Sequence, residues 1–273
     1  MKRINKKGLV LVGCGRMGSA LLDAWLNAGL RVGSVYVVDP QPSEWLLEKA
    51  AAGLNLNADL PADPAVVVLA TKPQMMHNAL SAVPADRGSD TVFLSVAAGI
   101  PIAAFETVLG SDARIVRSMP NLPAMIGQGM TALTGNDAAG KTGTEMAIRL
   151  MSLVGQVVEV KREDDLHSVT ALSGSGPGYV FAFIEAFAKA GGQMGLDPDT
   201  AFQLSRQTVL GAAMMAKDDL ASLAKLRDNV SSPAGTTLAG LAVLMREQRG
   251  LDQLLLETMQ AARTRSIELA ELE

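Results

Sequence analysis

Short apolar blocks alternate with helical stretches over the first 160 or so positions. Residues 8–12 form a compact apolar strand, and 35–38 a second. Residues 66–70 form a third, uninterruptedly apolar and β-branched; 91–96 and 115–117 give a fourth and a fifth. Residues 130–133 and 157–160 have the look of late edge strands. Between the first strands, residues 19–28 place Ala20, Leu21, Ala24, Trp25 and Ala28 on one helical face, and 43–52 form a second helix. Apolar runs without alternation, separated by helices, predict a parallel sheet covered on both sides. After Arg162 the β-type runs stop. Residues 179–195, 198–216, 220–228, 236–249 and 251–269 all carry a helical pattern, with Asp197-Pro198 as a helix start. The predicted fold is α/β: an N-terminal doubly wound, mostly parallel sheet over residues 1–162, then an all-helical domain over 163–273. Helices 179–190 and 207–216 are apolar over much of their surface, which requires burial, partly against a second subunit.

Composition narrows the chemistry. With 24 Lys+Arg against 28 Asp+Glu, the net charge of -4 gives no basic footprint for nucleic acid. A single cysteine excludes an intramolecular disulfide framework and a Cys-rich zinc site, and two histidines, His77 and His167, leave little material for a His-built metal site, so no metal is expected. The basic start at residues 1–7 is followed by an apolar run that stops at Gly13, too short for a signal peptide. No stretch reaches the ~20 apolar residues of a membrane span. The expectation is a soluble, cytoplasmic protein.

The first strand runs into Gly13-Cys14-Gly15-Arg16-Met17-Gly18, a G-x-G-x-x-G motif that opens a helix. In that context Gly13 permits the tight turn, Gly15 lets a pyrophosphate approach the backbone, and Gly18 allows close helix–strand packing. The helix N-terminus offers free N–H groups and a positive dipole end. This is the Rossmann pattern. Asp39 ends the second strand 21 positions after Gly18, where an acidic side chain can hold both ribose hydroxyls. With no Arg or Lys between Asp39 and Lys49, and Ser43 alone available for a 2′-phosphate, NADH is slightly favoured over NADPH. Three further turns, 70–73, 97–101 and 118–121, stand at carboxyl ends of predicted strands, where such sheets bind ligands. Two small-residue segments, 173–178 and 228–237, precede helices in the second half; their hydroxyls and N–H groups suit either N-capping or a small carboxylate.

These residues carry a resemblance. Residues 11–18, Ala70-Thr71-Lys72-Pro73, residues 95–100 and 117–124 are similar to segments of the pyrroline-5-carboxylate reductases. So, most specifically, are Leu172-Ser173-Gly174-Ser175-Gly176-Pro177-Gly178-Tyr179 and residues 226–237. The resemblance spans nearly the whole chain. It implies reduction of the cyclic imine of 1-pyrroline-5-carboxylate to L-proline with NADPH or NADH. It implies a nucleotide held by Val12, Gly13, Cys14, Gly15, Arg16, Met17 and Gly18, by the Ala70, Thr71, Lys72, Pro73 turn, and by Ala97, Asn57 and Asn229. The substrate would be held by Ser231, Ser232, Gly235, Thr236 and Thr237, with Glu163 nearby. Thr237 matches the threonine that hydrogen-bonds the ring nitrogen. The helical domain would form an intertwined homodimer, in many relatives assembled further into a decamer of five dimers.

Such chemistry suits a chain poor in His and Cys. A protonated imine is already electrophilic, so holding it at reactive distance from the hydride supplies much of the rate. Two departures stand out: Asp39, where many relatives accept a 2′-phosphate, and Ala234, where glycine is common. Two rivals share these features. A 3-hydroxyacid dehydrogenase needs a lysine after its glycine-rich substrate loop, and none precedes Lys189. A non-catalytic NAD(P)-binding sensor would not need Thr237.

Overall fold

The computed structural model describes residues 1–81, 83, 88–218, 221–233 and 235–271. The sheet contains β1 (Leu9–Val12), β2 (Val35–Val38), β3 (Asn55–Leu56), β4 (Val66–Leu69), β5 (Val92–Ser95), β6 (Arg114–Met119), β7 (Gly129–Gly135) and β8 (Gly155–Glu159). Their order is β3-β2-β1-β4-β5-β6-β7-β8, and every pair is parallel except β6–β7. The chain therefore reverses direction of growth after β3, which places a crevice at the carboxyl end of β1. The 130–133 run is thus an interior strand, paired on both sides, and only β8 is an edge; the opposite edge, β3, is two residues long and too short for an apolar signature.

Strands β1, β4 and β5 are buried throughout, and the alternation of their side chains sorts the core into two layers. Leu9, Leu11, Val66 and Val68 face Leu21, Leu22 and Trp25 of α2 (Arg16–Asn27), Leu46 of α3 (Glu44–Ala51), and Ala147 and Leu150 of the later helix Gly140–Met151. Ile4 of α1 (Lys2–Lys7) joins the same layer. Val10, Val12, Val67 and Leu69 face α4 (Met76–Ser81) and Phe105 and Leu109 of α5 (Ile102–Leu109). Trp25, fully buried, donates its indole N–H to the Leu150 carbonyl at 2.9 Å, tying α2 to α6 (Gly140–Met151).

Beyond β8 come α7 (Asp165–Val169), a π-helical turn over Thr170–Gly174, α8 (Gly176–Gln193), α9 (Pro198–Asp218), α10 (Leu223–Asn229), α11 (Thr236–Leu244) and α12 (Leu251–Glu271). Asp197 caps α9 as its Asp-Pro start predicts, accepting the N–H groups of Asp199 and Thr200 at 3.1 Å. The 220–228 prediction begins on Leu220, outside the described residues; α10 starts at Leu223 behind the Ser222 cap. The 236–249 prediction overshoots, because the chain turns at 246–250. There Gly250 lies so close to the Arg246 backbone that a Cβ would sit 2.2 Å from its carbonyl oxygen.

Two compact units result: residues 1–175 with the chain from Ala262 on, and residues 176–261. Among the described residues no helix is long and apolar enough to cross a membrane, and no group of three His, Cys, Asp or Glu residues could hold a metal.

Candidate active site

The glycine loop is built as its spacing requires. Gly13 leaves β1 at φ +86 and donates its N–H to Val38 on β2 at 2.9 Å. A Cβ there would lie 2.8 Å from the Thr71 methyl and 3.0 Å from the Ala70 carbonyl, so strand end, loop and 70–73 turn touch only because the residue is glycine. Gly18, in the first turn of α2, would press a Cβ to 2.5 Å from the Gly13 oxygen. Gly15, the N-cap of α2, faces open space and brings no side-chain cap to the first N–H groups. An anion can thus reach the positive end of a twelve-residue helix.

Asp39 is bound into this loop more tightly than its position alone suggests. One carboxylate oxygen accepts the Cys14 N–H at 2.7 Å, and the other accepts the Gln41 N–H at 2.9 Å. Asn57 grips the Asp39 backbone from the position just after the edge strand β3: its side-chain oxygen accepts the Asp39 N–H at 2.9 Å, and its NH2 donates to the Asp39 carbonyl at 2.8 Å. Asn57 does this from a left-handed conformation, φ +49, alone among the described non-glycine residues. Burial, reinforced by the neighbouring Asp39 charge, pushes the Cys14 thiol up to about 12. It stays protonated and serves as a small buried side chain, not a nucleophile. Ser43 caps α3, its hydroxyl oxygen accepting the Leu46 N–H.

Around these groups lies a cleft of about 940 Å³. It gathers Val12, Gly13, Cys14, Gly15, Arg16, Asp39, Asn57, Ala70, Thr71 and Lys72 from the predicted nucleotide site. Met17 turns instead into the core, Gly18 is consumed by its contact with Gly13, and Pro73 begins the 3-10 turn Pro73–Met75. Ala97 is buried at the end of β5, its N–H donated to Ser95, and does not line the cleft. Asn229 ends α10 in the helical unit. Ser19, Gln41 and Met75 line the cleft without having been singled out. For Ser19 and Gln41 the signal was available, one residue past Gly18 and two past Asp39. The donor set fits a dinucleotide: uncapped helix N–H groups, an approach kept bare by Gly15, and a carboxylate at the tip of β2.

In the helical unit, the predicted substrate residues sit on the link from α10 to α11. Ser231 folds back, donating its hydroxyl to the Arg227 carbonyl at 2.7 Å. Gly235 caps α11 and donates its N–H to Ser232 at 2.9 Å, so closely that a Cβ would lie 2.4 Å from the Ser232 hydroxyl oxygen. Thr236 and Thr237 open α11, and among the described residues nothing hydrogen-bonds their hydroxyls. Ala234 lies outside the described residues. Glu163 is engaged in the first unit, its carboxylate paired with Arg117 and with the Ile102 N–H.

This sheet order, glycine loop and cleft define a dinucleotide-dependent oxidoreductase with a Rossmann domain. Residues 8–99 match the family model described as NADP oxidoreductase, coenzyme F420-dependent, and residues 163–269 match that for pyrroline-5-carboxylate reductase dimerisation. The chain is 37% identical to the pyrroline-5-carboxylate reductase of Pseudomonas aeruginosa, covering 96% of this chain and 97% of that one. It is 32% identical to the Escherichia coli enzyme of the same name, covering 97% and 99%. Among solved structures, the Coxiella burnetii reductase superposes with a TM-score of 0.88 at 33% identity, covering 97% and 98%. The Plasmodium falciparum reductase, solved with NADP bound, gives 0.82 at 28% identity, covering 97% and 99%. The chain belongs to the pyrroline-5-carboxylate reductase family.

Proposed function

We infer that this chain reduces 1-pyrroline-5-carboxylate to L-proline, the last step of proline biosynthesis. The observation that carries the reading is end-to-end similarity to reductases of that name at 37% identity, joined to an intact nucleotide cleft. Bound NAD(P)H supplies the hydride. The chain's residues do the rest. The α2 N-terminus and Gly15 hold the pyrophosphate, with Arg16, Thr71 and Lys72 beside it. Asp39 and Asn57 take the adenosine ribose. In the helical domain, 163–273, Ser232, Gly235 and Thr236 hold the substrate carboxylate through hydroxyls and the N–H groups at the start of α11, and Ser231 joins them once its hydroxyl leaves the Arg227 carbonyl. Thr237 orients the ring nitrogen. A threonine hydroxyl is too weak an acid to protonate it, so the proton comes from solvent or from an iminium already formed. Thr237→Ala then lowers kcat/KM by roughly 2–3 kcal/mol in steady-state assays, one lost polar contact to the transition state. Undiminished activity would remove Thr237 from the mechanism. Turnover with pyrroline-5-carboxylate and none with a 3-hydroxyacid separates this reading from the dehydrogenases; turnover at all separates it from a sensor.

The nucleotide preference follows from Asp39. Its charge repels a 2′-phosphate where a ribose hydroxyl would be welcome, and no Arg or Lys stands between Asp39 and Lys49 to offset it. NADH is slightly favoured over NADPH as the donor. We propose that the working enzyme is a cytoplasmic homodimer, with a decamer of five dimers as the higher assembly. Exposed Phe181, Phe183, Phe187, Leu210, Met214 and Met215 on α8 and α9 support this, as does α11, apolar all round with no buried residue.

A further inference from the structure

A second cavity has, among the described residues, none in common with the nucleotide cleft. It holds about 570 Å³ and opens between α1, the end of α2 and α6. Cavities of roughly 300–1,000 Å³ are those that take small organic ligands. Ala28, the C-cap of α2, stands on its wall, a helix length of about 18 Å from the Gly15 end. Ile4 and Leu150, both buried, form its floor, and Met146 and Leu153 continue the apolar lining.

The walls are fixed in place. The Asn5 side-chain oxygen accepts the Arg31 N–H at 2.8 Å, and its NH2 donates to the Gly29 carbonyl at 3.1 Å. The Asn5 carbonyl accepts the Ser34 hydroxyl at 2.9 Å, so α1 is sewn to the chain that follows α2. The Trp25 indole, bound to the Leu150 carbonyl, holds α6 at the floor. Such a cavity is present before any ligand arrives, and filling it costs little ordering.

The charges on the lining are of one sign. Lys2, Arg3 and Arg149 stand there with Thr142, and no acid is among the described lining residues. The Lys2 ammonium has no partner among the described residues. Arg3 gives one N–H to the Asp90 carbonyl at 2.7 Å and keeps the rest of its donors. Arg149 meets Glu145 at 3.1 Å with its side chain 78% exposed, a surface pair that contributes little and separates at little cost. Apolar walls under a cationic rim are the complement of a hydrocarbon body with an anionic head. A guanidinium fork takes a carboxylate by two parallel hydrogen bonds.

We propose that this cavity binds a small amphipathic carboxylate, a fatty acid of medium chain length. Its hydrocarbon lies on Ile4, Met146, Leu150 and Leu153, and Lys2 and Arg149 hold its head group. Binding needs no nucleotide.

The test is calorimetry on the full chain with decanoate below its micellar concentration, with and without saturating NADH. One site per chain is expected, of equal affinity in both. Affinity should rise about threefold for each CH2 added from hexanoate to decanoate. Decanol and decylamine should bind at least about tenfold more weakly than decanoate. Lys2→Glu with Arg149→Glu should weaken decanoate by about tenfold or more and leave decanol unchanged. Leu153→Asp should weaken both. These three side chains are exposed, so the variants should keep the wild-type thermal midpoint. Should one not fold, the ligand series on the wild type decides. Absence of binding, a series flat in chain length, or an amine that binds as well as the acid overturns the proposal. So does displacement by NADH, which would put decanoate in the nucleotide cleft. Undiminished binding in both variants does the same, since the fatty acid would then lie on the open helical faces.

Discussion

The two units solve the problem of burial in opposite ways. In residues 1–175, β1, β4 and β5 are buried on both faces, and Trp25, Phe93 and Phe105 are fully covered within one chain. In residues 176–261, α8 buries little more than Gly191 where it meets Ala201, and α10 and α11 have no buried residue at all. Yet α11 is the more uniformly apolar sequence. A hydrophobic surface left open in a single chain is an unfinished core, and the matching family model is one of dimerisation. One half is complete alone; the other is complete only in company.

Breaking the second half's company gives the largest expected effect. Phe183→Glu with Phe187→Glu, on adjacent turns of α8 with ring centroids 5.7 Å apart, should weaken subunit association by at least about 100-fold in sedimentation equilibrium. Nucleotide binding by the first half should survive. Gly18→Ala makes the opposite cut. Its Cβ would strike the Gly13 oxygen, so dinucleotide affinity should fall by about 100-fold or more in fluorescence titration while the dimer persists. Leu94→Ala, in the middle of β5, should cost about 2–5 kcal/mol of stability by denaturant melt, as a cavity in a finished core does. Asp39→Ser should shift the NADPH-to-NADH ratio of kcat/KM toward NADPH by about tenfold, with weaker binding of both because Cys14 loses its acceptor.

The smallest effect is a pH dependence confined to the first unit. His167 lies 2.9 Å from Ser266 of α12, and burial, with Arg117 beside it, holds its imidazole below the ordinary value of 6.5. The unfolded chain therefore takes up a proton first. Stability from the neutral ring is fully present above pH 6.5 and is lost as the pH falls below that value toward the folded one. The thermal midpoint should decline over that window in the wild type and decline less in His167→Asn.

The nucleotide half was far more legible than the helical one, for the same reason that it is self-sufficient. Unbroken β-branched runs such as 66–69 can only be interior strands, and Gly13, Gly15 and Gly18 each answer a steric demand made within a few residues. What escaped notice was set by distant partners. The two-residue β3 exists because Asn55 and Leu56 pair with β2, and β7 lies inside the sheet only because β8 follows it. Glu163 was marked, but its bonds to Arg117 and Ile102 span 46 and 61 positions, and no local pattern reports them. The Thr236-Thr237 start of α11 is readable as helix chemistry; the substrate role proposed for it rests on resemblance alone.

The buried thiol of Cys14 has a practical consequence. It is the chain's one cysteine, and at a value of about 12 it offers almost no thiolate to an electrophile or an oxidant near neutral pH. Maleimide and peroxide should leave the folded protein essentially unmarked. Any cysteine introduced elsewhere would be the sole reactive sulfur in the molecule. The scaffold is therefore ready for single-site labelling with its native sequence intact, and a dye on α8 or α9 could report on the meeting of the subunits directly.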